Sequence, residues 1–389
     1  MVVEVNEDGT VGGSHQVLFD AVRLMDQSRI SPVVVFYQEN IFAERLRSLG
    51  VAVHVLDGLR TQEVRAYRRE SRLSRYRGLW RAIRARQRLI RRLRIDLVHI
   101  NNSPQVALHD WLPAAITLGI PIVASAMGDA GPIKSPLRRL LVRRYSHYLP
   151  VSEYMLTALL EQGIPPSRIT LVRNGVDAPL IKSRIVRPKD AVRRELGVPP
   201  GHVLGVMVGN VRRWKGQDVV LDAMALVPPD LRSRLVIAFA GSNDLHNPDF
   251  KQALDQMISD HGIASRIRWL GRRDDVPELF HAADFGLHAS VVPEPFGLVM
   301  AECMGTGTPV IAAQEGGAAE IVTRETGWVY PGGNAKALSE LLARAVVELP
   351  ILQRFRGACT TRAQEFSAER MAAEMEAVYL KVTARRARS

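Results

Sequence analysis

The chain has 389 residues, 47% of them apolar, and a formal net charge of +12; one hydrophobic core rarely serves such a length, so two domains are expected. No apolar run approaches the roughly 20 residues of a membrane-spanning helix, and Met1-Val2-Val3-Glu4-Val5-Asn6 lacks the basic and apolar parts of a secretion signal, so a cytoplasmic location is expected. Cys303 and Cys359 fit no metal-ligand spacing and no disulfide framework, in keeping with a reducing compartment.

Short β-like runs alternate with helical stretches through the first half, the pattern of a doubly wound α/β domain. Val2 to Val5 reads as a strand, Asn6 to Ser14 as a Gly-rich loop and His15 to Met25 as a helix, with strands again at 32–36 and 51–56. Between Arg60 and Arg94 fourteen arginines stand against Glu63 and Glu70, and fourteen minus two equals the whole formal excess. Leu79, Trp80, Ile83, Leu89, Ile90 and Leu93 recur there at helical spacing, which predicts a core face with the arginines on the other side. Strands follow at 97–100, 121–125 and 148–152. A second basic stretch, Lys134, Arg138, Arg139, Arg143 and Arg144, is interleaved with Leu137, Leu140, Leu141 and Val142. Two readings of these helices stay open: solvated faces of core-packed helices, or attraction to an anionic membrane surface at about 1 kcal/mol per basic residue. A nucleic acid is not expected as partner, because arginine-rich helices with few exposed aromatics are unspecific.

Residues 1–180 are expected to form the first domain, 181–200 a polar linker with one short helix, and 201–366 a second α/β domain with strands at 203–209, 235–241, 267–270, 285–289 and 309–312. Residues 367–389 read as a terminal helix with Ser367 as its N-cap.

Most of the chemistry lies in Glu294-Pro295-Phe296-Gly297-Leu298-Val299-Met300-Ala301-Glu302, where two carboxylates bracket a turn that enters an apolar helix-like segment. Glu294 follows an apolar strand, so its carboxylate can face a cleft; Glu302 comes about two helical turns on, at roughly 1.5 Å per residue. Carboxylates accept paired hydrogen bonds from vicinal hydroxyls. The backbone N–H groups of Phe296, Gly297 and Leu298 fall at the helix start, where unpaired donors and the positive dipole end favour phosphate or sugar oxygens. The structural alternative makes Glu294 a helix cap and Glu302 half of a surface ion pair.

This stretch resembles the Glu-x7-Glu motif of the retaining glycosyltransferases of family 4. The resemblance continues in Gly305-Thr306-Gly307-Thr308-Pro309-Val310-Ile311-Ala312, Glu315-Gly316-Gly317-Ala318-Ala319-Glu320 and Thr326-Gly327-Trp328, and upstream in Gly209-Asn210-Val211-Arg212-Arg213-Trp214-Lys215-Gly216 and Val172-Arg173-Asn174-Gly175-Val176-Asp177. It implies the α/β GT-B fold, two Rossmann-like doubly wound domains facing each other across a cleft. The implied reaction is metal-independent, retaining transfer from a nucleoside diphosphate sugar (UDP or GDP) to a saccharide or lipid-linked acceptor, in cell-surface polysaccharide or glycolipid synthesis. The enzyme would lie in the cytoplasm or at the inner face of the membrane.

By the same resemblance Glu294 faces the transferred sugar, Glu302 holds the ribose and Lys215 the leaving phosphate. Asn210 stands where the family usually carries an arginine, so Arg212 or Arg213 is expected to supply that charge; Glu294, Lys215 and Arg212 form the catalytic set. Arg272 and Val276 belong to a loop implied to meet the nucleobase, although Asp274 or Asp275 capping the next helix fits equally. Gly12 and Gly13 match a glycine loop at the acceptor edge, with a hairpin or plain turn as the alternative; the nearby His15 reads as a helix-surface residue. Gly316 and Gly317 approach the donor pyrophosphate or simply form a turn. Where many family members carry a histidine after the 121–124 strand, this chain reads Ser125-Ala126-Met127-Gly128-Asp129, leaving Asp129 as the acceptor-side candidate and His109 as another. No cofactor is expected beyond the donor substrate. A dinucleotide-dependent dehydrogenase fits poorly, because Gly-x-Gly-x-x-Gly follows the first strand in neither half. A non-transferring relative such as a sugar-nucleotide epimerase, or a basic membrane- or nucleic-acid-binding protein, stays as the alternative.

Overall fold

The computed structural model describes residues 1–5, 11–56, 72–128, 131, 133–243 and 248–386. The chain forms two compact units, Met1–Gly175 with Ala368–Ser389, and Val176–Ser367.

The first unit is built on a parallel sheet of β1 (Val2–Glu4), β2 (Val33–Phe36), β3 (Ala52–Val55), β4 (Val98–Asn101), β5 (Ile122–Ala126) and β6 (His147–Pro150), in the order β3-β2-β1-β4-β5-β6. The second repeats the scheme with β7 (Val203–Val208), β8 (Leu235–Ala240), β9 (Ile267–Trp269), β10 (Phe285–His288), β11 (Val310–Ala313) and β12 (Gly327–Tyr330), in the order β12-β11-β10-β7-β8-β9. In each, the chain starts at the middle, runs to one edge, returns and runs to the other, the doubly wound arrangement expected from the sequence. Parallel strands covered on both faces need near-continuous apolar runs, and Val203-Leu204-Gly205-Val206-Met207-Val208 and Leu235-Val236-Ile237-Ala238-Phe239-Ala240 supply them. Leu221, Phe239, Leu254, Phe285, Ile311 and Leu338 lie in one buried cluster of the second unit; each such side chain contributes about 1.5–3 kcal/mol by leaving water. Strand β12 was not predicted: four residues at a sheet edge, with Val329 turned outward, carry little pattern.

The last helix, Ala368–Arg386, packs along the first, Gly13–Leu24. It is pinned where Tyr379 Oη lies 2.6 Å from His99 Nδ1 on β4, whose Nε2 is 2.8 Å from Ser125 Oγ on β5, and where Glu376 pairs with Arg29 at 2.7 Å. The chain end thereby completes the first unit.

Three expectations and one alternative are corrected. Residues 181–200 are not a linker: the one short helix expected there is present as Lys189–Glu195, but the stretch belongs to the second unit, which begins at Val176 rather than after a first domain of 1–180. Val192, Leu196 and Val198 are buried there, Arg187 binds Glu278, Asp275 and Glu195, and Arg193 and Lys189 reach Asp284 at 3.0 and 3.3 Å. In the arginine-rich helix Arg72–Arg92, Trp80 is not in the core face; it is 62% exposed, and Arg86 takes the buried position at 1%. Arg86 pairs with Asp110 at 3.1 Å and lies over the rings of Tyr37 and Trp111, so an aromatic box and a carboxylate draw one guanidinium inward. His15 is not a surface residue but is buried, stacked on Phe36 with ring centres 6.0 Å apart. Gly12 and Gly13 form neither hairpin nor plain turn: Gly12 precedes the helix that Gly13 begins, and its N–H lies 3.5 Å from His15 Nδ1.

Candidate functional site

In an open doubly wound sheet, ligands bind beyond the carboxyl ends of the strands where the strand order reverses. In the second unit that point lies between the neighbours β7 and β10, paired through Phe285 to Gly205 and Gly286 to Val206. Lys215 stands in the loop that leaves β7, at the end of the short 3₁₀ turn Arg213–Lys215. Glu294 stands in the loop that leaves β10. Topology thus brings together residues 79 positions apart, with Lys215 Nζ 2.6 Å from Glu294 Oε1.

Close backbone packing holds both loops. Trp214 C=O accepts from Val291 N–H at 2.9 Å, and Gly216, at φ +76°, lets the turn press on the end of β10, where any Cβ would meet Ala289 O at 2.0 Å. Beyond Glu294, its C=O accepts from Gly317 N–H at 2.8 Å. A Cβ on Gly316, at φ +73°, would lie 2.3 Å from Glu294 O, and one on Gly317 would lie 2.6 Å from Phe296 Cα. These two glycines therefore seat the loop carrying Glu294.

The Glu294 carboxylate is one-sided. Oε1 receives Lys215 Nζ, the Ser290 hydroxyl and, at 3.1 Å, His288 Nε2. The histidine is off the line of an aligned hydrogen bond, so its contact is one of charge and dipole. Among the described residues no group bonds Oε2. Burial would raise this carboxyl, but Lys215 and then His288 outweigh it and hold it well below the usual carboxylate range. The site therefore presents an ionised carboxylate beside an ammonium that also lies over the Trp214 ring, 4.3 Å from its centre. Glu294 is no helix cap; Gly297 occupies that position before the helix Leu298–Gly305.

The other candidates fall as follows. Glu302 sits in that same helix, half-buried. Among the described residues the backbone N–H groups of Phe296, Gly297 and Leu298 have no acceptor, while the Phe296 ring is buried edge-on against Phe366 at 5.5 Å. Asn210 ties two loops, its Oδ1 accepting from Ser242 N–H and its C=O from Gln217 Nε2 at 3.1 Å. Arg213 lies over Phe250, 4.9 Å from the ring centre, and Arg212 begins the turn to Lys215. Arg272 is exposed, with Asp274 3.7 Å away. Val276 opens the helix Val276–Ala282, but Asp275 does not cap it, because its carboxylate goes to Arg273 and Arg187 instead. Gly12 and Gly13 lie in the first unit, as does half-buried His109, and Asp129 lies outside the described residues. Sequence reasoning missed His288 and Ser290; the one available signal was a histidine closing an otherwise apolar strand.

Two family models match the chain in succession, Glycosyltransferase Family 4 over residues 40–179 and Glycosyl transferases group 1 over residues 188–358. Among curated proteins it is similar to the D-inositol 3-phosphate glycosyltransferase of Corynebacterium glutamicum, 26% identical over 87% of this chain and 82% of the relative. The namesake of Thermobispora bispora is 36% identical, over 46% of this chain and 43% of the relative. Among solved structures the chain is similar to Anabaena Alr3699/HepE in complex with UDP and glucose, with TM-score 0.79 and 22% identity over 98% of this chain and 99% of that one. A glycosyltransferase from Rickettsia africae gives TM-score 0.80 at 17% identity, covering 98% of each chain. With both halves matched and the doubly wound pair of units in place, the chain belongs to the family 4, group 1 glycosyltransferases of GT-B fold.

Proposed function

We infer that this glycosyltransferase moves a sugar, with retention at the anomeric carbon, from a UDP- or GDP-sugar to a hydroxyl of a saccharide or lipid-linked acceptor. The Lys215–Glu294 pair at the switch point of the second sheet carries this reading. As the diphosphate leaves, negative charge grows on it, and groups already fixed in place stabilise it best. Lys215, Arg212 and the free amides of Phe296, Gly297 and Leu298 are the positive groups for that task. Glu294 Oε2 accepts from a sugar hydroxyl and faces the oxocarbenium-like centre, while Glu302 takes the ribose hydroxyls. The acceptor hydroxyl attacks on the face that the phosphate leaves and gives its proton to that phosphate. Asn210, Arg272 and Val276 border the nucleotide, and Gly12, Gly13 and Asp129 the acceptor.

The UDP and UDP-glucose complexes of the Anabaena protein support a uridine donor, and the names of the curated relatives put inositol phosphate in the acceptor panel. Thermal shift against UDP-glucose, UDP-galactose, UDP-N-acetylglucosamine and GDP-mannose should pick out one donor, since a ligand of the native state raises apparent stability. Labelled transfer should then run undiminished in EDTA with retained stereochemistry. Full turnover by Glu294→Ala, or stabilisation by none of the donors, would overturn the reading.

The same enzyme docks on anionic membrane. Tyr76 and Trp80 are exposed on the arginine-rich helix, and Leu137 and Leu140, 63% and 62% exposed, stand among Arg138, Arg139 and Arg143. Exposed aromatic and leucine side chains beside arginines suit the headgroup boundary; no described helix is long and apolar enough to cross a membrane. Flotation with vesicles holding 30% anionic lipid should weaken roughly tenfold in Trp80→Ala/Leu137→Ala, an order of magnitude set by the lost apolar area. Binding to DNA but not to vesicles would sink it.

A further inference from the structure

His288 closes β10, in register with Ala312 of β11, and strand alternation puts it on the face opposite Phe285 and Leu287. It is 4% exposed, and among the described residues neither ring nitrogen has an aligned hydrogen-bond partner. A buried imidazole left in that state is costly unless it serves a neighbour. Nε2 lies 3.1 Å from Oε1 of the Glu294 carboxylate, the same oxygen that Lys215 Nζ meets at 2.6 Å.

We propose that His288 is a positioning residue for sugar transfer: with Ser290 it holds Glu294 by Oε1, so that Oε2 stays turned to the donor sugar when Lys215 engages the phosphate. The proposal rests on the transfer reading above. Three groups meet one carboxylate oxygen, and none of the described residues meets the other. Two contacts that share Oε1 fix the rotation of the carboxylate better than one, and they leave the lone pairs of Oε2 for a hydroxyl donor. Of the three, Lys215 is the least rigid hold. Its ammonium rides on a flexible four-carbon stem, and the departing phosphate competes for it. His288, buried at the end of a central strand, has no such freedom. A carboxylate loosened by an ångström can cost about a hundredfold in rate.

The test compares His288→Gln, which keeps an amide dipole near the place of Nε2, with His288→Leu, which keeps bulk but puts no dipole beside Oε1; thermal melting first establishes that both are folded. With the donor that stabilises the wild type, His288→Leu should lose about ten- to a hundredfold in kcat, His288→Gln should stay within about threefold of wild type, and affinity for the free nucleoside diphosphate should be unchanged in both. Equal kcat in the Leu and Gln variants, or a fall in nucleotide affinity matching the fall in kcat, would overturn the proposal while transfer by the wild type still stood. A wild type that binds and turns over none of the donors would remove the transfer reading, and this role with it.

Discussion

Lys215 Nζ and Glu294 Oε1 meet at 2.6 Å, with side chains only 16% and 11% exposed, where the loops leaving two adjacent strands converge. Each depends on the other: the ammonium keeps a buried carboxyl ionised, and the carboxylate keeps the ammonium in the site. Removing Lys215 takes away the largest influence that holds the Glu294 carboxyl down.

Lys215→Ala should lower kcat by about a hundred- to a thousandfold, the range seen when one fixed donor to a developing anion is lost. It should also raise the Glu294 carboxyl, since burial then meets less opposition. In the wild type this carboxyl sits below its ordinary value of 4.5, so its contribution to stability is full above that pH and is lost as pH falls through the folded-state value. The stability gap between wild type and variant should therefore narrow below pH 4.5, which denaturant melts at several pH values would read.

Gly316→Ala should disable the site without touching a charged group. The added Cβ would lie 2.3 Å from Glu294 O in a backbone conformation of φ +73°, so the loop carrying Glu294 must shift, at a cost of about 1–3 kcal/mol. Activity at least tenfold lower, by analogy with other ångström-scale misplacements, should accompany a modest loss of melting temperature; unchanged kinetics would show that the loop does not need its contact with Gly316.

His99 should make the protein acid-sensitive. Burial, with the nearby amino terminus, pushes the imidazole down to about 3 from 6.5. Between those values the unfolded chain binds a proton that the folded one refuses, so stability falls as pH drops below 6.5, by about 1.4 kcal/mol at pH 5.5 from this group alone. Comparing urea midpoints of wild type and His99→Asn at pH 7.5 and 5.5 checks this: the variant should lose less on acidification.

Arg86→Met should destabilise the first unit by about 3–5 kcal/mol, because Asp110, 2% exposed, would keep a buried charge without its partner. Burial already raises the Asp110 carboxyl despite Arg86, so the pair is held at a cost. Asp110→Asn/Arg86→Met should recover part of the loss, and donor affinity should be unchanged in both, as calorimetry would show.

What the sequence alone determined follows from local pattern. Among the described residues eleven of the twelve strands were legible as short apolar runs, most plainly the central ones, which must be apolar along their whole length, and the alternation of strands with helices already implied two doubly wound sheets. The motif around Glu294 and Lys215 was legible through its resemblance to family 4. The short edge strand at Gly327–Tyr330 escaped, since four residues that open on a glycine and turn Val329 outward carry too little pattern. Tertiary structure alone decided the rest. Nothing local distinguishes Arg86, which enters the core, from the arginines around it, or Trp80, which leaves it; the difference lies in Asp110, Tyr37 and Trp111 on other elements. Likewise His288 reads as one polar residue in a strand until the reversal of strand order places Glu294 and Lys215 beside it. Patterns along a chain report which stretches form the buried central strands, but a residue's partner is set by which strands become neighbours, and that is a property of the whole sheet.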